Sequence, residues 1–184
     1  MTVIAVAHPW TIDDLDELPD NGNRYEIADG SLIVSPSSDI WHVDANDRLG
    51  DVLKRQAPSD LRVLWAGAGI DIYRRITYYV PDLLIAKAEA IRRGGKTLQP
   101  ADVLLVAEVL SPSNRSKDLV LKRHDYAAAG IRHYWILDRV NRTLIVLVLD
   151  EGEKTYREEA VVEPGKTWHT DRPFPIEVDP AELF

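Results

Sequence analysis

Two carboxylates stand where the chain is otherwise apolar. Glu108 lies in VLLVAEVLSPS, with seven apolar residues around it, and Asp82 lies in YYVPDLLIA, directly after Pro81. A run such as Val103 to Leu110 reads as a strand buried on both faces and closed by a Ser111-Pro112-Ser113 turn. Leaving an isolated ionised carboxylate in such a place costs several kcal/mol even after relaxation. If the two segments are neighbours in one sheet, the carboxylates converge and want a cation between them. Hard divalent ions such as Mg²⁺ or Mn²⁺ take oxygen ligands, usually one or two protein carboxylates completed by water and phosphate. The third residue is Lys122. Leu119, Lys122, Tyr126 and Ala129 fall on one face of a predicted helix, so Lys122 rides an otherwise apolar and aromatic stripe toward the sheet. Asp118 stands one turn before it. A lysine there holds the carboxylates or stabilises charge that develops during reaction. The bland alternative is an internal Glu108–Lys122 ion pair without chemistry. That alternative accounts less well for Asp82, because a second buried carboxylate leaves the pair net negative.

The elements that must position these residues follow from pattern. TIDDLDELP reads as a short helix with Thr11 as N-cap and acidic residues in its first turn. RYEIADGSLIVSP reads as a hairpin, with Asp29-Gly30 as a type I′ turn. WHVDANDRLGDVLKRQAP is a helix with Ala45, Leu49, Val52 and Leu53 on its apolar side, ended by Pro58. LRVLWAGAGIDIY and YYVPDLLIAK read as strands, and Pro81 breaks the pairing of the second because it has no N–H to donate. RRGGKTLQP is a polar loop before the strand Val103 to Leu110. SKDLVLKRHDYAAAG is a helix with Ser116 as N-cap and Gly130 at C′. HYWILD and TLIVLVLD read as paired strands, KTYREEAVV as another, and the Pro-rich tail as irregular. Strands mixed with helices suggest an α/β or α+β architecture, a central sheet with helices on its faces. No repeat, low-complexity segment or linker divides the 184 residues, which suit one domain, 1–184.

Composition excludes some chemistries. There is no cysteine, which removes disulfides, thiolate metal sites and thiol nucleophiles and fits a reducing compartment. The start, MTVIAVAHPW, has no signal-peptide pattern, and no apolar run approaches the roughly 18 residues of a membrane span. The expectation is a cytoplasmic protein. The net charge of −8 argues against a protein that coats nucleic acid non-specifically. A local basic groove can still coexist with an acidic exterior.

At this point the residues resemble a known family. VPD, followed about 25 residues later by an apolar strand ending in Glu, resembles the PD-(D/E)XK nuclease superfamily. The longer string AEVLSPSNRSKDLVLKRHDYAAAGIRHYWILD, with RYEIADGSLIVSPSS and His42 upstream, resembles a bacterial family of restriction-endonuclease type, formerly a domain of unknown function. The match runs from about Arg24 to about Leu149. The resemblance implies a restriction-endonuclease-like core, a central mixed sheet flanked by helices, here with an extra N-terminal hairpin. It implies Asp82 and Glu108 as metal ligands, with the backbone carbonyl of Val109 as a further one. One departure stands out: the motif lysine belongs two residues after the acid, on the same strand face, and Leu110 is there. The family supplies the lysine from the helix, and Lys122 is the match. Glu26 and His42 also match the family string. Glu26 joins the acidic cluster, and His42 is either a general base or substrate contact or a capping and packing residue. Tyr126 is a supporting residue better suited to packing than to chemistry.

The expected activity is Mg²⁺- or Mn²⁺-dependent hydrolysis of phosphodiester bonds. The resemblance implies DNA as substrate and, by analogy, a homodimer that cuts two strands. Arg74, Arg75, Arg92, Arg93, Lys96, Arg115, Lys117 and Arg123 either line an access groove or are ordinary solvated surface. Two rivals remain: a non-catalytic scaffold that keeps the fold and binds protein or nucleic acid, and a nuclease acting on RNA.

Overall fold

The structure is a computed structural model, and it describes residues 2–4, 8–65, 67–110 and 117–184. In chain order, β1 (Thr2–Ile4) and a 3₁₀ turn (Ile12–Glu17) precede the hairpin strands β2 (Arg24–Ala28) and β3 (Ser31–Ser35). Helix α1 (Ile40–Gln56) follows, then β4 (Leu61–Trp65), β5 (Ile70–Tyr73), β6 (Thr77–Tyr79), β7 (Leu83–Lys87) and the short helix α2 (Ala88–Arg93). Next come β8 (Val103–Leu110), α3 (Lys117–Ala128), β9 (His133–Asp138), β10 (Thr143–Asp150), β11 (Thr155–Val162), β12 (Trp168–Thr170) and β13 (Ile176–Val178).

Several local signals act as their chemistry dictates. Asp29 and Gly30 both have positive φ, 45° and 74°, as a type I′ turn requires. The carboxylate of Asp14 accepts from both the N–H and the hydroxyl of Thr11, so the expected cap is present, although the turn it starts is 3₁₀. Asp39 caps α1 by accepting from the His42 N–H. The helix α3 ends with Gly130 in the left-handed region (φ 81°). Its last turn closes by Ile131 N–H donating to Tyr126 and Gly130 N–H donating to Ala127. The expected Ser116 cap and the Ser111-Pro112-Ser113 turn lie outside the described residues.

The central sheet has the order β11-β10-β9-β8-β7-β4, and only β8 and β9 run parallel. The parallel pair is joined through α3, as such a pair must be, since it needs a crossover. Both faces of the sheet are covered. Leu105, Ala107 and Val109 of β8 pack with Leu49 and Leu53 of α1 on one side. Val106 and Leu110 pack with Tyr126 and Ala127 of α3 on the other. That is why β8 reads as continuous apolar sequence rather than as an alternation.

Two expectations are corrected. LRVLWAGAGIDIY is not one strand: β4 belongs to the central sheet, and β5 belongs to a second sheet of order β1-β3-β2-β6-β5. Likewise YYVPDLLIAK splits into β6 in the second sheet and β7 in the central one. The expected extra hairpin, β2–β3, is present and forms the middle of this five-stranded sheet. Local features mark where each run breaks. At Gly69 an added Cβ would stand 2.0 Å from the Tyr78 hydroxyl, so any side chain there would have to push the Tyr78 ring aside. At Pro81 the ladder must stop, because the residue offers no N–H. The tail is less irregular than its composition suggests, since β12 and β13 pair antiparallel. Among the described residues, no helix is long and apolar enough to cross a membrane.

Candidate active site

The central sheet brings Asp82 and Glu108 together by register. β7 and β8 are antiparallel neighbours with Leu83 opposite Ala107. Continuing that register by one residue sets Asp82 opposite Glu108, and opposite residues of an antiparallel pair share a face. Both side chains are buried. Asp82 sits where the chain crosses from the second sheet into the central one, so the crossing itself delivers a carboxylate to the sheet's end. Its Oδ2 accepts from the Val109 N–H at 2.8 Å, taking the place of the ladder partner that β7 no longer supplies. In the same register Pro81 stands opposite Val109 and has no N–H to give to the Val109 carbonyl.

Lys122 comes in from α3 and is buried like the acids it serves. Its Nζ donates to Glu108 Oε1 at 3.0 Å and to Glu26 Oε1 at 2.9 Å. The ammonium lies 5.4 Å from the centre of the Tyr79 ring. Tyr126 donates its hydroxyl to Glu108 Oε1 at 3.1 Å, so it holds the acid rather than only packing. Glu26, reached from the second sheet, also accepts from the Val80 N–H at 2.8 Å, which pins the crossing segment. His42 places Nε2 3.1 Å from Asp82 Oδ1. The helix cap is Asp39, and the imidazole of His42 is turned inward. Leu110, at the motif-lysine position, is buried among apolar residues on the face that carries Glu108. The side chain of Asp118 lies outside the described residues.

Two residues of the site were not singled out by the sequence. Arg24 donates from Nη1 to Asp82 Oδ1 at 2.6 Å. Asn46 donates from Nδ2 to the Asp82 carbonyl at 2.9 Å. The signals existed: Arg24 lies two residues before Glu26 on one strand, hence on one face, and Asn46 lies one helical turn after His42.

The electrostatics follow from three carboxylates meeting two permanent cations. Burial would raise the Asp82 pKa, but the His42 hydrogen bond and the charges of Arg24, His42 and Lys122 outweigh it and hold the group below the usual carboxylate range. Burial dominates at Glu108, and with the charges of Asp82 and Glu26 it overcomes Lys122 and Arg24, so its pKa is pushed up to about 7. Burial opposes the charge of Lys122, yet Glu108 and Glu26 hold its pKa above the ordinary lysine value. Arg24 is held charged in the same way, against burial, by Glu26, Asp82 and Glu108. Tyr126 is raised well above the ordinary tyrosine value by burial and by Glu108, so its hydroxyl stays a donor.

The donor set suits a hard divalent cation. It offers two carboxylates and a backbone carbonyl, all oxygen, and leaves most of the shell to water and substrate. A buried oxygen, Asn46 Oδ1, lacks any donor among the described residues, which suits an ordered water beside Asp82. Among the described residues no cluster of three or more His, Asp or Glu side chains is arranged to hold a metal by itself.

A family model described as "Putative restriction endonuclease" (Uma2) matches residues 12–181. The chain belongs to this family. The match bears out the resemblance to the PD-(D/E)XK superfamily drawn from the sequence. Among solved structures, the chain is similar to a putative nuclease of the DUF820 family from Anabaena variabilis, with a TM-score of 0.70 and 19% identity. The similarity covers 96% of this chain and 98% of that one, and it shows a shared fold. No curated protein matches the chain.

Of the basic residues expected along an access groove, three are paired with surface carboxylates. Arg75 pairs with Asp13, Arg93 with Asp102 and Lys96 with Asp16, while Arg123 donates to the Tyr156 carbonyl. Arg74 stacks on Tyr73, and Arg92 is exposed. Arg115, and the side chain of Lys117, lie outside the described residues.

Proposed function

We propose that this Uma2-family protein is a divalent-metal-dependent nuclease that hydrolyses phosphodiester bonds, with DNA the favoured substrate. One observation carries the proposal: Asp82 and Glu108 stand opposite each other on one sheet face, at the end where β7 begins, with Lys122 shared between Glu108 and Glu26. Asp82, Glu108 and the Val109 carbonyl would hold Mg²⁺ or Mn²⁺. A divalent cation there supplies charge neutralisation at a phosphoryl oxygen and acidifies water. Lys122 keeps a positive charge fixed beside the reacting phosphate, where negative charge grows. Tyr126 and Lys122 together fix the direction of Glu108. His42 orients Asp82 through its Nε2. A homodimer would set two such centres against opposite strands of a duplex.

The test is a calorimetric titration of Mn²⁺ into the protein, with Asp82→Asn and Glu108→Gln alongside. Saturable binding lost in both variants supports the reading. A Glu108→Gln protein that cleaves DNA as fast as the parent overturns it. One observation favours a second reading, the non-catalytic scaffold: Arg24, Lys122 and His42 already surround the acids, so a purely structural ion-pair network would look much the same. That reading expects no divalent binding that depends on Asp82 and Glu108.

A further inference from the structure

Among the described residues Asp82 meets three donors, and two of them share Oδ1. An ionised carboxylate has about four lone-pair sites. Arg24 and His42 occupy Oδ1 at 2.6 and 3.1 Å, and the Val109 N–H occupies Oδ2 at 2.8 Å. A divalent ion on this carboxylate would share it with a guanidinium, and like charges that close repel strongly in a buried site. The two cations of the site differ in freedom. Lys122 is fully enclosed and held by two carboxylates, Glu26 and Glu108. Among the described residues Arg24 touches one carboxylate, Asp82, while Glu26 and Glu108 act on it only from a distance, and its side chain keeps 26% of its surface open to solvent. Its Nε is buried and has no acceptor among the described residues. A guanidinium presents five donors in a fixed fork that fits phosphate oxygens two at a time. Arg24 therefore carries unused hydrogen-bonding capacity at the mouth of the site, beside the acid that a metal needs.

We propose that Arg24 is a resident counter-cation of Asp82 that moves from the carboxylate to an oxygen of the substrate phosphodiester when a divalent ion binds. Metal and phosphodiester then bind cooperatively, because each makes room for the other. The inference rests on the nuclease reading, and it concerns how the site fills rather than whether it cleaves. Charge supports it. Glu26, Asp82 and Glu108 are balanced in part by Arg24 and Lys122 when no metal is present. Adding a divalent ion overshoots that balance, and the single negative charge of a phosphodiester restores it.

The test is Mn²⁺ calorimetry on the parent, Arg24→Gln and Arg24→Lys, each with and without the dinucleotide TpT as a minimal phosphodiester. Without TpT, Arg24→Gln binds Mn²⁺ about tenfold more tightly than the parent, within the usual range of coupling between sites. Arg24→Lys keeps the charge and stays near the parent. TpT tightens Mn²⁺ binding to the parent but not to Arg24→Gln. Unchanged or weaker Mn²⁺ binding in Arg24→Gln overturns the inference, as does an Arg24→Lys protein that binds as tightly as Arg24→Gln. In either case, parent binding that is lost in Asp82→Asn leaves the nuclease reading standing. If neither the parent nor Arg24→Gln binds Mn²⁺, both fall together.

Discussion

Glu108 makes the metal-free protein's stability depend on pH in an unusual direction for a carboxylate. Its pKa in the fold is about 7, against an ordinary value of 4.5. The folded state therefore holds a proton that the unfolded chain releases. The stability this contributes is complete below pH 4.5 and is lost as pH rises through about 7. At about 1.36 kcal/mol per pH unit, that interval is worth about 3 kcal/mol. Two other groups could obscure the effect. Asp82 is held below its ordinary 3.8, so its contribution is lost only as pH falls in the acid range. His133, lowered from 6.5 to about 4 by burial and by Arg132 and Arg172, works the other way and loses stability as pH falls below 6.5. The parent's own profile is therefore a partial cancellation, and the informative quantity is a difference. Glu108→Gln removes the titration while keeping a neutral side chain of the same length. Urea unfolding in a chelator from pH 4.5 to 8 should show the parent's advantage over Glu108→Gln shrinking by about 3 kcal/mol as pH rises. A difference that stays constant across that range would show Glu108 ionised throughout. The Lys122 charge would then outweigh burial, and Glu108 would contribute no such pH dependence.

Lys122→Met leaves Glu26 and Glu108 buried without their shared cation, and should cost about 3–5 kcal/mol in a denaturant melt; a loss below about 1 kcal/mol would mean the cluster relaxes by taking up protons. Mn²⁺ at about a hundred times its dissociation constant should stabilise the parent by about 2.7 kcal/mol, seen as a raised melting temperature, with no rise in Asp82→Asn. Gly69→Ala forces its Cβ into the Tyr78 side chain and should destabilise by about 1–3 kcal/mol by the same melt; a neutral result would show that the Tyr78 ring swings aside without loss. Leu53→Ala, which empties a fully buried position under the central sheet, should cost about 2–5 kcal/mol.

Local chemistry is what the sequence determined. Asp29-Gly30, the apolar side of α1, the glycine end of α3 and the unbroken apolar run of β8 each depend on residues within a few positions of one another. So does the placement of Lys122 and Tyr126 on one helix face. The two acids were visible because burial makes a lone carboxylate conspicuous in an apolar string, and the family string added Glu26 and His42. Tertiary structure decided the rest. No local rule says that the two halves of YYVPDLLIAK enter different sheets. That depends on which edges are free to pair, and it is what carries Asp82 to the end of β8. Arg24 meets Asp82 across 58 residues, and Lys122 meets Glu26 across 96. Such pairs have no periodicity to betray them, because their spacing is set by the path of the fold and not by the pitch of a helix or the pleat of a strand. The identity of the buried charges was written in the sequence. Which charge neutralises which was settled only when two sheets and a helix packed together, because burial strengthens whichever pairing the packing permits and penalises every charge left over.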